Sequence, residues 1–364
     1  MRIAYVSLHW PRTRHSGVGK KIQSHISTWQ RMGHETRLFM HTSASEPSSE
    51  LIEADYFFYA GSGRVGTEIH RVRAAKQMLH AVRSFQPDII FLRYGMYVYP
   101  AHRLAEIAPV VEEINTNDLS QHEELGLVYS LYNRFTRGIF LRRVHGLVVV
   151  SHELAASKAF ASFRKPTEVI ANGIELDAIQ PLPAPRNETP HLVFIATPGY
   201  FWHGVDKLLT LARLHGDLTI HVVGYDIPEQ ATSLPPNVYF HGYLNSDAYV
   251  SLLGKSDVAI STLALHRKAM QEASPLKTRE CLAYGLPTVI AYTDTDLDRV
   301  DFDFLLKIPN KEDNIQAHAH AIREFAYRMR GCRADRDSLR PLIDARQKEA
   351  ARLAFFEKLL HGPA

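Results

Sequence analysis

Glu272-Ala273-Ser274-Pro275-Leu276-Lys277-Thr278-Arg279-Glu280-Cys281-Leu282-Ala283-Tyr284-Gly285-Leu286-Pro287 carries helix boundaries in its own residues. Ser274 is a strong N-cap residue and Pro275 suits the first helical position, while Gly285 favours termination and Pro287 prevents continuation. This spacing puts Glu272 just before the helix and Glu280 in its second turn, with the amides of Leu276 and Lys277 between them. Bare amides at a positive helix end attract a diphosphate, and the flanking carboxylates can accept hydrogen bonds from a sugar on one side and a ribose on the other. Taken without its surroundings, the same stretch also fits a solvated loop acid, Glu272, and a helix-surface partner of Lys277, Glu280.

Outward from this helix, short β-branched runs alternate with helical patterns. Strands are expected at 288–291 and 258–261, then, moving toward the N-terminus, at 238–241, 218–223 and 191–196, with helices at 247–254 and 205–214. The segment 181–190 is rich in proline, which removes backbone donors, and reads as an interdomain linker. Before it the alternation recurs, with strands at 3–7, 36–40, 89–93, 110–114 and 146–150 and helices at 22–32, 72–85 and 129–143. Composition makes Thr42 to Glu53 an ordinary loop. Such alternation implies parallel sheets covered by helices. The expectation is an α/β chain of two doubly wound, Rossmann-like domains: 1–180, a linker at 181–190, and 191–342. The carboxyl ends of their sheets would face a central cleft. A charged amphipathic helix at the end, within 343–364, is expected to pack back on the first domain.

The 364 residues are 45% hydrophobic and 22% charged, enough for two cores. A net charge of +3 provides no global field for gripping nucleic acid, so no nucleic-acid partner is expected. Two cysteines, Cys281 and Cys332, cannot build a disulfide framework and fit a reducing compartment. The apolar run at the N-terminus is too short for a signal segment, and no stretch reaches the roughly 20 apolar residues of a spanning helix. A cytoplasmic protein is expected, with peripheral contact at the inner membrane face as a further option. His318 and His320 are the only close histidine pair, have no cysteine nearby and fit a solvated helix surface, so no metal site is expected.

The loop His15-Ser16-Gly17-Val18-Gly19-Lys20-Lys21 follows a strand and opens a helix. Gly17 and Gly19 permit close approach to a phosphate or sugar, with charge from Lys20 or Lys21, although a plain tight turn reads equally well. The order of motifs completes the picture. Glu-x-Ser-Pro-Leu-Lys-x-x-Glu followed by Ala-x-Gly-Leu-Pro resembles the signature of the retaining GT-B enzymes of glycosyltransferase family 4, two glutamates separated by seven residues. Ser16-Gly17-Val18, Gly33-His34-Glu35, Val150-Ser151, Asn172-Gly173-Ile174, Trp202-His203-Gly204-Val205-Asp206-Lys207-Leu208, Asn237 to Gly242 and Ser256-Asp257-Val258 resemble that family in the same order over nearly the whole chain.

The resemblance implies metal-independent transfer with retained anomeric configuration, from a UDP- or GDP-linked sugar held by the second domain to an acceptor held by the first. It implies that Glu272 contacts the transferred sugar and Glu280 the ribose, beside Ser274, Leu276 and Lys277. Thr197 and His203 stand where the family commonly places an Arg and a Lys on the diphosphate, leaving Lys207 and Lys277 as candidate cations. Glu113 or Asn115 stands near the position of a family histidine. The setting implied is polysaccharide or glycoconjugate biosynthesis, with a glycan or lipid-linked acceptor. Two other functions remain open: a sugar-nucleotide epimerase on the same architecture, and a non-catalytic membrane or polyanion binder. The second rests on Tyr129 to Arg143, where aromatic and basic residues interleave; a core-packing helix with outward arginines accounts for the same stretch.

Overall fold

A computed structural model of the chain describes residues 1–8, 16–43, 52–119, 126–226 and 234–362. It divides into two compact units, one of Met1–Ala171 with Ala345–Ala364 and the other of Asn172–Asp344.

The first unit runs β1 (Arg2–Ser7), α1 (Gly17–Arg31), β2 (Glu35–Ser43), β3 (Asp55–Tyr59), α2 (Gly63–Phe85), β4 (Ile89–Arg93), β5 (Val110–Ile114), α3 (Leu127–Leu141), β6 (Gly146–Val149), the short α4 (His152–Ala156) and α5 (Lys158–Ala161), and β7 (Thr167–Val169). Its strands form a 7-stranded sheet in the order β3-β2-β1-β4-β5-β6-β7, and every pairing is parallel. Alternate residues feed two apolar layers. Ala4, Val6, Ile90, Leu92 and Val110 face α2 and α3, while Ile3, Tyr5, Ile89, Phe91 and Val111 face Ile22 and Trp29 of α1.

In the second unit come β8 (His191–Ile195), α6 (Val205–Leu214), β9 (Thr219–Val223), β10 (Val238–Phe240), α7 (Ser246–Lys255), β11 (Val258–Ile260), β12 (Glu272–Ala273), α8 (Leu276–Ala283), β13 (Thr288–Ile290), β14 (Thr293–Asp294), β15 (Leu305–Lys307), α9 (Asn314–Met329) and α10 (Arg336–Ile343). The 6-stranded sheet has the order β10-β9-β8-β11-β13-β15, and β12 pairs with β14 in a separate ribbon. Strand order therefore reverses between β8 and β11, the switch point at which doubly wound sheets bind ligands. After α10 the chain returns to the first unit as α11 (Ala345–His361), whose Phe355 and Phe356 complete the layer around Trp29. Gly146 permits that closeness: a Cβ there would lie 2.9 Å from the Phe355 ring.

Two boundaries differ from the sequence reading. The division falls at Asn172, and the proline-rich 181–190 segment is strapped to its own unit: Leu182 N–H donates to the Tyr284 carbonyl, and the Arg333 guanidinium donates to the Leu182 and Pro183 carbonyls. Thr42 and Ser43 extend β2, and 44–51 of the expected loop lie outside the described residues. No helix among the described residues is long and apolar enough to cross a membrane.

Candidate donor site

Helix α8 follows the β12 ribbon and is stopped by a Schellman turn. Gly285 adopts φ 86°, its N–H donates to the Leu282 carbonyl and the Leu286 N–H to that of Cys281. The start of α8 differs from expectation. Pro275 is the N-cap and no side chain caps the helix. The hydroxyl of Ser274 instead accepts the Asn172 N–H at 2.8 Å, and the Asn172 amide donates to the Ser274 carbonyl. Ser274 thus holds the turn in place, and among the described residues no side chain caps the amides of Leu276 and Lys277, the first of α8, whose positions have no partner within a helix.

The acids flank this end. Glu272 is buried on β12, which pairs with β14 in the register Glu272 to Thr293 and Ala273 to Asp294. Glu280 accepts a hydrogen bond from the Tyr249 hydroxyl at 3.2 Å. Sequence reading passed over Arg279, which is fully buried. Its guanidinium grips both oxygens of Asp294, donates to Asp296 at 2.9 Å and reaches the Asn172 carbonyl. One arginine thus ties α8 to the strand that positions Glu272. An Arg between two glutamates reads as a surface charge until its aspartates, 15 and 17 positions on, are seen to fold back.

The candidate cations fare unequally. Lys207 is buried, and its ammonium donates to the Lys311 and Glu312 carbonyls and to Asn314 Oδ1, at 2.7, 2.8 and 2.9 Å. All three protons are spent, so it ties α6 to the start of α9 and has none left for a phosphate. Lys277 donates to the Ile195 carbonyl at 3.0 Å and lies over the Phe194 ring; burial lowers its pKa to about 8. His203 is buried and its Nδ1 accepts the Thr197 N–H at 3.2 Å. Burial, reinforced by Lys277, brings its pKa down to about 3. It is therefore a neutral imidazole near neutral pH and provides no cation. A cation the sequence reading did not single out, Lys268, stands beside this turn, its ammonium 4.5 Å from the centre of the Trp202 ring. The basic run His266-Arg267-Lys268, just upstream of Glu272, was the available signal.

In the first unit, Ser16 caps α1 by accepting the Gly19 N–H, and Gly17 opens the helix; His9 and His15 lie outside the described residues. The expected acid, Glu113 of β5, proves to be interior, and the expected amide, Asn115, follows the strand and is half-buried. Glu113 is fully buried, and Lys21 at its side is buried as well. Glu113 meets Lys21 at 2.8 Å, Arg93 at 3.1 Å and Arg352 of α11 at 3.8 Å. Asn115 bridges the first pair, donating to Glu113 at 3.1 Å and accepting from Lys21 at 2.7 Å. Burial alone would raise the Glu113 pKa, but these cations hold it well below the usual carboxylate range. Its neighbour Glu112 faces the opposite layer, where burial and Asp118 push it up to about 8. Glu113 accordingly serves as the counterion of three basic side chains. Among the described residues no group of histidines, cysteines and acids is arranged to hold a metal ion.

Residues 15–178 match the family model described as Glycosyltransferase Family 4. No curated protein matches the chain. Solved structures do so over nearly its full length. Sucrose-phosphate synthase from Thermosynechococcus elongatus is 13% identical with a TM-score of 0.69, covering 100% of both chains. The lipopolysaccharide outer core galactosyltransferase WaaB in its apo form is 13% identical with a TM-score of 0.67, covering 98% of this chain and 100% of its own. HepE from Anabaena, in complex with UDP and glucose, is 13% identical with a TM-score of 0.64, covering 98% and 100%. These likenesses show the two-domain GT-B fold, and joined to the family match over the first unit they support a glycosyltransferase.

Proposed function

We propose that the chain is a retaining, metal-independent glycosyltransferase that moves a hexose from a UDP- or GDP-linked donor to a glycan, lipid-linked or other glycoconjugate acceptor. The carrying observation is the uncapped amino end of α8 at the switch point of the second sheet, with Glu272 before it and Glu280 within it. Breaking the anomeric bond leaves positive charge on the sugar and negative charge on the departing diphosphate. The Leu276 and Lys277 amides and the positive helix end meet the diphosphate, and Lys268, beside the His203 turn, supplies the charge that His203 lacks. Glu272 accepts the sugar hydroxyls and Glu280 those of the ribose. Support for the nucleotide comes from HepE, solved with UDP and glucose, and a polysaccharide or glycoconjugate setting suits a fold shared with a lipopolysaccharide galactosyltransferase.

Glu272→Ala tests the reading. A thermal-shift panel of nucleotides and nucleotide sugars first identifies the donor, since a ligand at about 100 times its Kd adds roughly 2.7 kcal/mol of stability. With that donor, Glu272→Ala lowers turnover by about a hundredfold or more, the scale of losing one well-placed transition-state contact, while Glu280→Ala weakens nucleotide binding. Unchanged donor turnover in Glu272→Ala removes the assignment.

A further inference from the structure

Helix α3 does not behave as a core-packing helix over its first two turns. Leu127, Val128 and Phe135 are 75%, 78% and 80% exposed, with Leu131 and Tyr129 about half exposed. Buried positions begin at Asn133 and cluster at its far end, Gly138, Phe140 and Leu141. Leu127, Leu131 and Phe135 follow one another at four-residue intervals and share a stripe, which Arg134, Gly138 and Arg142 extend along the same face.

Beside the stripe lies a cavity of about 350 Å³ lined by Leu119, Arg134, Arg137, Gly138, Arg142 and Phe163. The absence of a side chain at Gly138 lets the Arg142 guanidinium lie against the helix at the cavity wall: a Cβ there would lie 3.1 Å from Arg142 Nη1. Arg137 is compensated, with Asp118 at 2.7 and 2.8 Å. Helix α3 itself has no acidic residue, and Arg142 and Arg143 follow it directly; Glu123 and Glu124 precede it in sequence, outside the described residues.

We infer that this face docks on an anionic lipid surface, lipid phosphates entering the arginine-lined cavity while Leu127, Val128, Leu131 and Phe135 enter the headgroup–acyl boundary. Charge favours this occupant over a second copy of the chain, because an isologous contact would bring the arginine row against itself. The inference stands independently of glycosyl transfer, since it uses none of the residues around α8.

Sedimentation of the full chain with vesicles tests it, comparing phosphatidylcholine alone with an equal mixture of phosphatidylcholine and phosphatidylglycerol at low and high salt. The expected result is pelleting with the mixed vesicles at low salt and release at high salt. Arg134→Glu and Arg142→Glu each weaken pelleting by roughly fivefold or more, about 1 kcal/mol per lost charge. Phe135→Glu weakens it as well, whereas Tyr243→Glu, equally exposed in the other unit, does not. Equal pelleting with both vesicle types overturns the inference, as does no pelleting with either. So does full competition by inorganic pyrophosphate, which would mark a soluble-anion site, or self-association abolished by Phe135→Glu without vesicle binding.

Discussion

Glu113→Gln separates a buried counterion from a reacting group. The substitution keeps the side-chain shape and an oxygen for Asn115, but removes the charge that faces Lys21 at 2.8 Å, Arg93 at 3.1 Å and Arg352 at 3.8 Å. At an effective dielectric of about 20, a unit pair near 3 Å attracts by roughly 5 kcal/mol, most of it offset by the desolvation of both ions. Removing the carboxylate leaves the buried Lys21 ammonium without its counterion, while Arg352 keeps Glu349, at a cost of about 3–5 kcal/mol. For a unit of this size each kcal/mol moves Tm by about 2–4 °C, so a fall of around 10 °C is expected in calorimetry. Glu113→Gln combined with Lys21→Met should regain part of that loss, because the second change removes the stranded ammonium. The native carboxyl is held low, so its stabilising contribution is fully present above the unfolded value, near 4.3, and is lost as pH falls through the folded one. A Tm within about 2 °C of the parent, together with lost donor turnover, would refute the reasoning and return Glu113 to the reacting centre.

Three more outcomes follow from the same geometry. Lys207→Met leaves the Lys311 and Glu312 carbonyls and Asn314 Oδ1 without their donor, and should destabilise the chain by about 3 kcal/mol in chemical unfolding while the donor Kd stays within a factor of about two. Arg279→Met strands Asp294 and Asp296 and loosens β14, the partner strand of Glu272; stability should fall by about 3–5 kcal/mol, and at temperatures where the variant remains folded kcat should fall more than donor affinity. Glu112→Gln should stabilise: with a folded pKa raised to about 8, the native acid binds protons more tightly than the unfolded chain, so native stability drops as pH rises from near 4.3 to about 8. The advantage of Glu112→Gln, read from Tm at a series of pH values, should therefore grow over that range and level off above it.

Features written in local sequence came through with little change. The runs at 89–93 and 110–114 are strands with those same limits, because a β-branched run bounded by polar residues states its own period. The far end of α8 was equally legible, since Gly285 and Pro287 act within one turn of chain. Its near end was not: Ser274 has every property of a cap, but its hydroxyl is taken by an amide 102 positions earlier. The short ribbon of β12 and β14 was also hidden, two residues per strand being too few for any period.

By itself, the sequence determined two alternating α/β halves, the order of motifs along them and a helix with one glutamate before it and another in its second turn, all of which depend on residues a few positions apart. Only the tertiary structure decided which charges remain available for a ligand. Lys207, Glu113 and Lys21 look alike in sequence to any solvated lysine or glutamate, and what removes them from the site is the arrival of Asn314, Arg93 and Arg352 from distant parts of the chain. A buried charge is held by whichever partner the fold delivers, and no local pattern encodes that partner.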